Sequence, residues 1–98
     1  MPSSKISELR GEIDRLNAEI LARIQQRAEL VREISRLKRS RGMEDRDLAR
    51  EQAMLAQLFS TSPGPLEEPE IRAIFQAIFD ASIALMSRTG PVSRDPEL

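Results

Sequence analysis

The apolar residues of the N-terminal part of the chain repeat with the spacing of a long amphipathic helix. They follow alternating steps of three and four residues, which is the heptad seam along which helices pair. The seam residues are Ile6, Leu9, Ile13, Leu16, Ile20, Leu30, Ile34 and Leu37. The two seam positions between Ile20 and Leu30 hold Arg23 and Arg27 instead. Because a guanidinium cannot be deprotonated to escape burial, an arginine on this seam needs an anionic partner, from the protein or from a ligand.

The seam predicts one long first helix. It is expected to begin near Ser3 or Ser4, either of which can cap it, and to end after Leu37 in a basic turn before Gly42. At ~1.5 Å per residue this helix is about 54 Å long, whereas a compact chain of this size has a radius of gyration of only about 13 Å. The rest of the chain is too short to cover the stripe. We therefore expect a second copy of the chain to bury it.

Two shorter amphipathic helices are predicted after a polar link at residues 42–46. Asp45 or Asp47 can cap the second helix, which is expected to run to about Phe59. Its apolar face is formed by Leu48, Leu55, Leu58 and Phe59, with Met54 at the margin.

The third helix follows the break Ser62-Pro63-Gly64-Pro65 and has Pro69 in its first turn, among acidic residues that suit the helix dipole. Its stripe runs from Ile71 to Met86, and Gly90-Pro91 ends it. The pattern predicts an all-α domain over residues 1–88. Residues 89–98 are expected to form a mobile tail.

Composition narrows the chemistry available to the chain. The 98 residues include no Cys and no His, so thiolate chemistry, the usual neutral-pH base and the commonest metal ligand are absent, and we expect neither metal nor cofactor. A net charge of -1 and only three aromatic residues, all Phe, argue against nucleic-acid binding. No apolar run approaches ~20 residues and the N-terminus lacks the apolar core of a signal peptide, so we expect no membrane span and a cytoplasmic location.

A few polar residues interrupt the apolar faces of the three predicted helices. They are Arg23 or Arg27 on the first helix, Glu51 on the second and Ser82 on the third, with Arg10, Lys38, Asp47 and Arg50 beside the faces. Since two arginine forks suit two carboxylates, these residues favour a pocket for a small dicarboxylate. In the alternative, structural interpretation, Arg27 pairs with Glu51 inside a helical dimer and Ser82 bonds back to its own helix.

Four stretches of the chain resemble the all-helical chorismate mutases of the bacterial, intertwined-dimer class. They are residues 9–14, 26–31, 47–51 and 74–82, joined by Ile34 and Lys38. The Asp-x-x-Arg-Glu element at 47–51 is typical of the mutases rather than of the related isochorismate pyruvate lyases. The Ser-Pro-Gly-Pro break is similar to that of mutase domains associated with DAHP synthase, the first enzyme of the shikimate pathway, so a partner enzyme from that pathway is also expected.

The resemblance implies the fold, the reaction and a role for each candidate residue. The fold is an intertwined homodimer of six helices, and the reaction converts chorismate to prephenate for aromatic amino acid biosynthesis. Arg27 binds one substrate carboxylate, and Arg10 from the other subunit binds the second. Lys38 donates to the ether oxygen, and Glu51 accepts from the ring hydroxyl with the backbone near Asp47. Arg50 and Ser82 complete the pocket wall.

Met86 is the one departure from the pattern of this family. The family usually has Gln or Glu there, whose side chain donates a second hydrogen bond to the ether oxygen, and a thioether cannot donate. Three interpretations follow: a slow mutase, a mutase for a chorismate relative such as the 4-amino-4-deoxy compound, or a regulatory module that binds chorismate or prephenate without turnover. Met86 packed into the core would also leave a narrower pocket.

Overall fold

The chain folds into three helices, described here from a computed structural model that covers residues 2–41, 46–61 and 63–89. Helix α1 spans Pro2–Ser40, α2 spans Leu48–Thr61 and α3 spans Glu68–Arg88. The prediction of an all-α fold with a very long first helix is confirmed. Some predicted features lie outside the described residues: Asp45, Ser62, Gly90-Pro91 and the rest of the predicted tail after Thr89. None of the described helices combines the length and apolar composition needed to cross a membrane.

The helix boundaries differ slightly from the predicted ones. Ser3 and Ser4 were expected to cap α1 but lie inside it, because the helix begins at Pro2. A proline suits the first helical position, since its φ is already helical and it lacks an N–H that would have no partner there. At the other end, the Arg41 N–H donates to the carbonyl of Lys38 at 3.1 Å. Helix α2 continues to Thr61, slightly beyond the predicted end.

The chain divides into an N-terminal unit, Met1–Leu30, and a C-terminal unit, Val31–Leu98. Within the N-terminal unit the apolar seam of α1 is open: Ile6, Leu9, Ile13, Leu16, Ile20 and Leu30 are between 46% and 59% exposed. A regular row of large apolar side chains in water is unfavourable, at about 25 cal/mol for each Å² left uncovered. Exposed apolar surface of this extent is typical of an interaction surface.

The C-terminal unit has a small core between α2 and α3. Leu55, Phe79 and Met86 are its buried apolar residues. The rings of Phe75 and Phe79 lie 6.3 Å apart, and the guanidinium of Arg72 on α3 lies 5.1 Å from the ring centre of Phe59 on α2. The cation–π interaction joins α2 to α3, whereas the contact between the two rings packs side chains within α3.

Two residues expected on the inner faces are exposed in the structure. Leu48 on α2 is 66% exposed and Ile74 on α3 is 48% exposed. Leu48 is the first residue of its helix, where the face has only begun to turn toward α3. The apolar periodicity identified the inner faces of α2 and α3, but it did not show which residues of each face are buried.

One small residue of α1 is fully enclosed. Ser35 has no exposed surface, and its Oγ has no hydrogen-bond partner among the described residues. It follows Ile34 of the seam and lies off the predicted apolar stripe. A side chain this small allows neighbouring groups to approach α1 closely there, where a larger one would have to displace them.

Candidate active site

The first turn of α2 fixes three of the predicted site residues together. Asp47 caps the helix, because its Oδ1 accepts a hydrogen bond from the Arg50 N–H at 2.9 Å. The Asp47 carbonyl accepts from the Glu51 N–H at 3.1 Å, which starts the helical ladder. Asp47 and Arg50 point to solvent while Glu51 is buried. Of the two proposed caps, the structure therefore selects Asp47 and gives it a structural role.

Glu51 is held by a two-point ion pair with Arg46. The Arg46 Nε donates to Glu51 Oε2 at 2.9 Å, and Nη2 donates to Oε1 at 3.0 Å. The residue is only 9% exposed, so its charge needs this partner. Two parallel charge-assisted hydrogen bonds hold a carboxylate plane in one orientation, which a single contact does not do.

The same guanidinium reaches α3. Arg46 Nη2 also donates to Asp80 Oδ1 at 3.0 Å, and Gln76 Nε2 donates to that oxygen at 3.2 Å. The hydrogen bonds to Glu51 and then to Asp80 raise the pKa of Arg46 above its ordinary range. Hydrogen bonds from Arg46 and then from Gln76 lower the pKa of Asp80. Arg46 thus connects the start of α2 to the middle of α3.

Ser82 and Met86 lie one turn apart on α3. The Ser82 hydroxyl donates to the Ile78 carbonyl at 2.8 Å, the back-bonding arrangement that the structural interpretation predicted. A ligand that meets this hydroxyl therefore meets an acceptor. Met86 is 6% exposed, so this thioether is part of the core of the C-terminal unit.

The cationic candidates on α1 differ in their surroundings. Arg23 is exposed and donates to Gln26 Oε1 at 3.0 Å, so it is a solvated residue of the helix surface. Arg27, the other seam arginine, is half-buried, as is Lys38 near the end of the helix, whereas Arg10 is exposed. The structure thus separates the two seam arginines that the pattern left as alternatives. Arg10 and Arg27 belong to the N-terminal unit, and Lys38 to the C-terminal unit.

Arg46 is the residue that the sequence interpretation missed. It was placed in the polar link, and the structural interpretation gave Glu51 the partner Arg27, whereas Glu51 pairs with Arg46. A local signal was present. Arg46 directly precedes the N-cap and Glu51 is the fourth residue of the helix, which are the two positions joined by a hydrophobic staple. Here a guanidinium and a carboxylate make that contact in place of two apolar groups.

Comparisons with known proteins agree on one family. The family model for chorismate mutase type II matches residues 9–87. A chorismate mutase structure from Thermus thermophilus, form II, is 44% identical, with a TM-score of 0.84, and the match covers 86% of this chain and 96% of that chain. Form I from the same organism is 45% identical, with a TM-score of 0.77 and coverage of 80% and 98%. No curated protein matches the chain.

The lowered pKa of Asp80 predicts how its ion pair contributes to stability as pH changes. Because folding favours the ionised form of Asp80, the stabilisation from its ion pair is fully present above the ordinary carboxyl pKa of 3.8. This stabilisation is lost as pH falls through the lower pKa that Asp80 has in the folded protein. Asp80→Asn should therefore lower Tm near neutral pH, and this difference from the wild type should shrink below about pH 4. Thermal unfolding at fixed protein concentration measures it.

Asp14→Asn is the control for this experiment, because Asp14 is an exposed carboxylate of α1 outside this network. Its Tm difference should stay small throughout the same pH range. A difference for Asp80→Asn that stays constant from pH 7 to about pH 3 would contradict the assignment.

Proposed function

The chain belongs to the family of type II chorismate mutases, and on that premise we propose that it converts chorismate to prephenate with Arg10, Arg27, Lys38 and Glu51 around the substrate. The observation that carries the proposal is the identity of 44% with a chorismate mutase over 86% of the chain. The enzyme is an isomerase. Its substrate is a dicarboxylate, the kind of ligand that the two arginines favour.

The reaction does not need the Cys and His side chains that this chain lacks. It is a one-step pericyclic rearrangement, in which a carbon–oxygen bond breaks as a carbon–carbon bond forms. No nucleophile and no proton shuttle takes part. The reaction is accelerated when the dianion is held in a folded conformer and when positive charge lies at the ether oxygen. In this proposal Arg27 and Arg10 hold the folded conformer by binding the carboxylates, and Lys38 places its positive charge at the ether oxygen.

The start of α2 supplies the acceptor for the ring hydroxyl in this proposal. Glu51 is buried, and both of its carboxylate oxygens accept hydrogen bonds from Arg46, so in this proposal it meets the ring hydroxyl as an acceptor. The Asp47 cap supports this turn of the helix, with Arg50 at its rim. Ser82 on α3 completes the wall as an acceptor.

We propose that the active enzyme is a homodimer in which α1 of each chain crosses to the other. The support is the open seam of the N-terminal unit, where six large apolar side chains are about half exposed. A second copy presents the same seam, so a two-fold contact buries both at once. Arg10 lies on this helix between Leu9 and Ile13, and we assign it to the site of the partner chain.

Met86 gives a specific reason to expect a slow enzyme. Its thioether occupies the position from which related mutases donate to the ether oxygen, and it cannot donate. One such donor typically contributes a factor of about 100 to 1000 in rate. Slow turnover suits a mutase whose main task is to sense the products of the pathway for a partner enzyme.

The first test of the proposal is the loss of chorismate absorbance with time. The wild type should turn chorismate over, and Arg27→Ala should lower kcat/KM by at least about 30-fold, because truncating one partner of a charge pair typically costs about 2–5 kcal/mol or more. Arg23→Ala is the matched control on the same helix and should retain activity. A strong loss of Tm in Arg27→Ala, with no specific loss of activity, would instead support a structural ion pair.

The second prediction concerns the missing donor. Met86→Gln should raise kcat by at least about 10-fold, and by up to the factor of about 100 to 1000 that one well-placed donor supplies. Met54→Gln, the same change at a half-buried position of α2, is the control and should not raise it. Unchanged or lower turnover in Met86→Gln would mean that this position packs the core and does not face the reacting atoms.

The third prediction tests the shared site by mixing two inactive variants. Arg10→Ala dimers lack the partner's arginine in both sites, and Lys38→Ala dimers lack the lysine in both. After unfolding and refolding together at equal amounts, half of the dimers are mixed, and each mixed dimer has one complete site. Activity should return to about one quarter of the wild-type value. No recovery, with mixed dimers present by mass spectrometry, would place Arg10 and Lys38 in the site from the same chain.

A further inference from the structure

Both carboxylate oxygens of Glu51 accept hydrogen bonds from a single side chain. Arg46 donates to both, at 2.9 and 3.0 Å, and the carboxylate is nearly buried. A carboxylate has about four lone-pair positions, so two remain after the fork is made. The fork therefore decides which directions are left for another donor.

We propose that Arg46 is a positioning residue for the rearrangement, and that it fixes the rotation of the Glu51 carboxylate so that a remaining lone pair faces the substrate hydroxyl. This inference rests on the proposed function, in which Glu51 accepts from that hydroxyl. Arg46 acts through Glu51 and has no contact with the substrate in this proposal. The guanidinium suits the task because its planar fork fixes an orientation, which the point charge of a lysine does not.

Arg46 is itself held at a third point. It lies before the N-cap of α2 and is about one third exposed as a side chain, so an isolated arginine there would sample several rotamers. Asp80 binds its Nη2 at 3.0 Å, and Gln76 binds Asp80 one helical turn away. The guanidinium is thus fixed between two carboxylates, one on α2 and one on α3. The orientation of Glu51 thereby depends on where α3 lies.

A purely structural ion pair would share this geometry, and kinetics distinguish the two roles. The ring hydroxyl is bound in the ground state and in the transition state alike. Loss of the contact should therefore raise KM and leave kcat nearly unchanged. A structural pair would lower the amount of folded enzyme, which changes the apparent kcat and not KM.

The experiment is a double-mutant cycle with Arg46→Met, Glu51→Gln and the double variant. We expect Arg46→Met to raise KM between about 10-fold and 100-fold, the range that one hydrogen bond to a charged group contributes to binding, with kcat within about threefold of the wild type. In the Glu51→Gln background the same change should raise KM by less than about threefold, because residues that act through one contact are not additive. Arg46→Lys should be intermediate, since it keeps the charge but loses the fork.

Arg15→Met is the matched control. Arg15 forms an ion pair with Glu19 at 3.0 Å that is exposed to solvent, and its loss changes the net charge by the same amount. Its kinetic constants should equal those of the wild type. Circular dichroism and Tm of each variant establish the folded fraction. Asp80→Asn keeps both hydrogen bonds between Arg46 and Glu51 and removes the negative charge at the third contact, so a smaller rise in KM is expected.

The outcomes separate this inference from the function on which it rests. Wild-type enzyme that fails to turn over chorismate overturns both. A wild type that is active, with Arg46→Met unchanged in KM, overturns the role of Arg46 alone. Full additivity of Arg46→Met and Glu51→Gln in folded protein also overturns it, because Arg46 would then act without Glu51.

Discussion

A helix of 39 residues in a chain of 98 is the constraint on which the rest of the structure depends. Among the described residues, Leu55, Phe79 and Met86 are the buried apolar side chains, and they lie on α2 and α3. Along the seam of the N-terminal unit, six large apolar side chains are about half exposed. Association with a second copy, as proposed above, would bury this surface. In the dimer that we propose, forming the interface and bringing Arg10 to the site are one event, so an isolated chain would be both poorly covered and incomplete as an enzyme.

The buried charge at Glu51 is a second constraint, and the fold meets it locally. A carboxylate at the fourth position of α2 lies too far along the helix to be satisfied by the free backbone N–H groups of its end. Arg46, the residue before the N-cap, contacts the first turn of α2, and its guanidinium donates to the Glu51 carboxylate. The same guanidinium contacts Asp80, so the cluster also joins α2 to α3. The arginine that pairs with Glu51 at the start of α2 therefore also makes a tertiary contact with α3.

The fold was largely predictable from the sequence, whereas the site was predictable only in part. Heptad spacing identified α1, and the Asp47 cap and the Pro-Gly-Pro break identified α2 and α3, because these signals are local. The pattern could not separate Arg23 from Arg27, since both occupy the seam and only three-dimensional burial distinguishes them. Nor did it find Asp80 as the second partner of Arg46, a contact between residues distant in the chain. The roles of Arg10, Arg27 and Lys38 remain predictions drawn from the family resemblance.

Met86 shows how packing and chemistry compete for one position. A glutamine there would bring an amide into a core where it needs hydrogen-bond partners, and an unsatisfied buried amide costs roughly 1–3 kcal/mol. That penalty is a large fraction of the net stability of a globular protein, which is about 5–15 kcal/mol. Leu55, Phe79 and Met86 are the buried apolar residues of the described part of the chain, so replacing one of them by a polar group weakens the packing of α3. The position of α3 in turn sets Asp80, and through it Arg46 and Glu51. A methionine at this position therefore favours the geometry of the acceptor side of the site over a second donor at the ether oxygen.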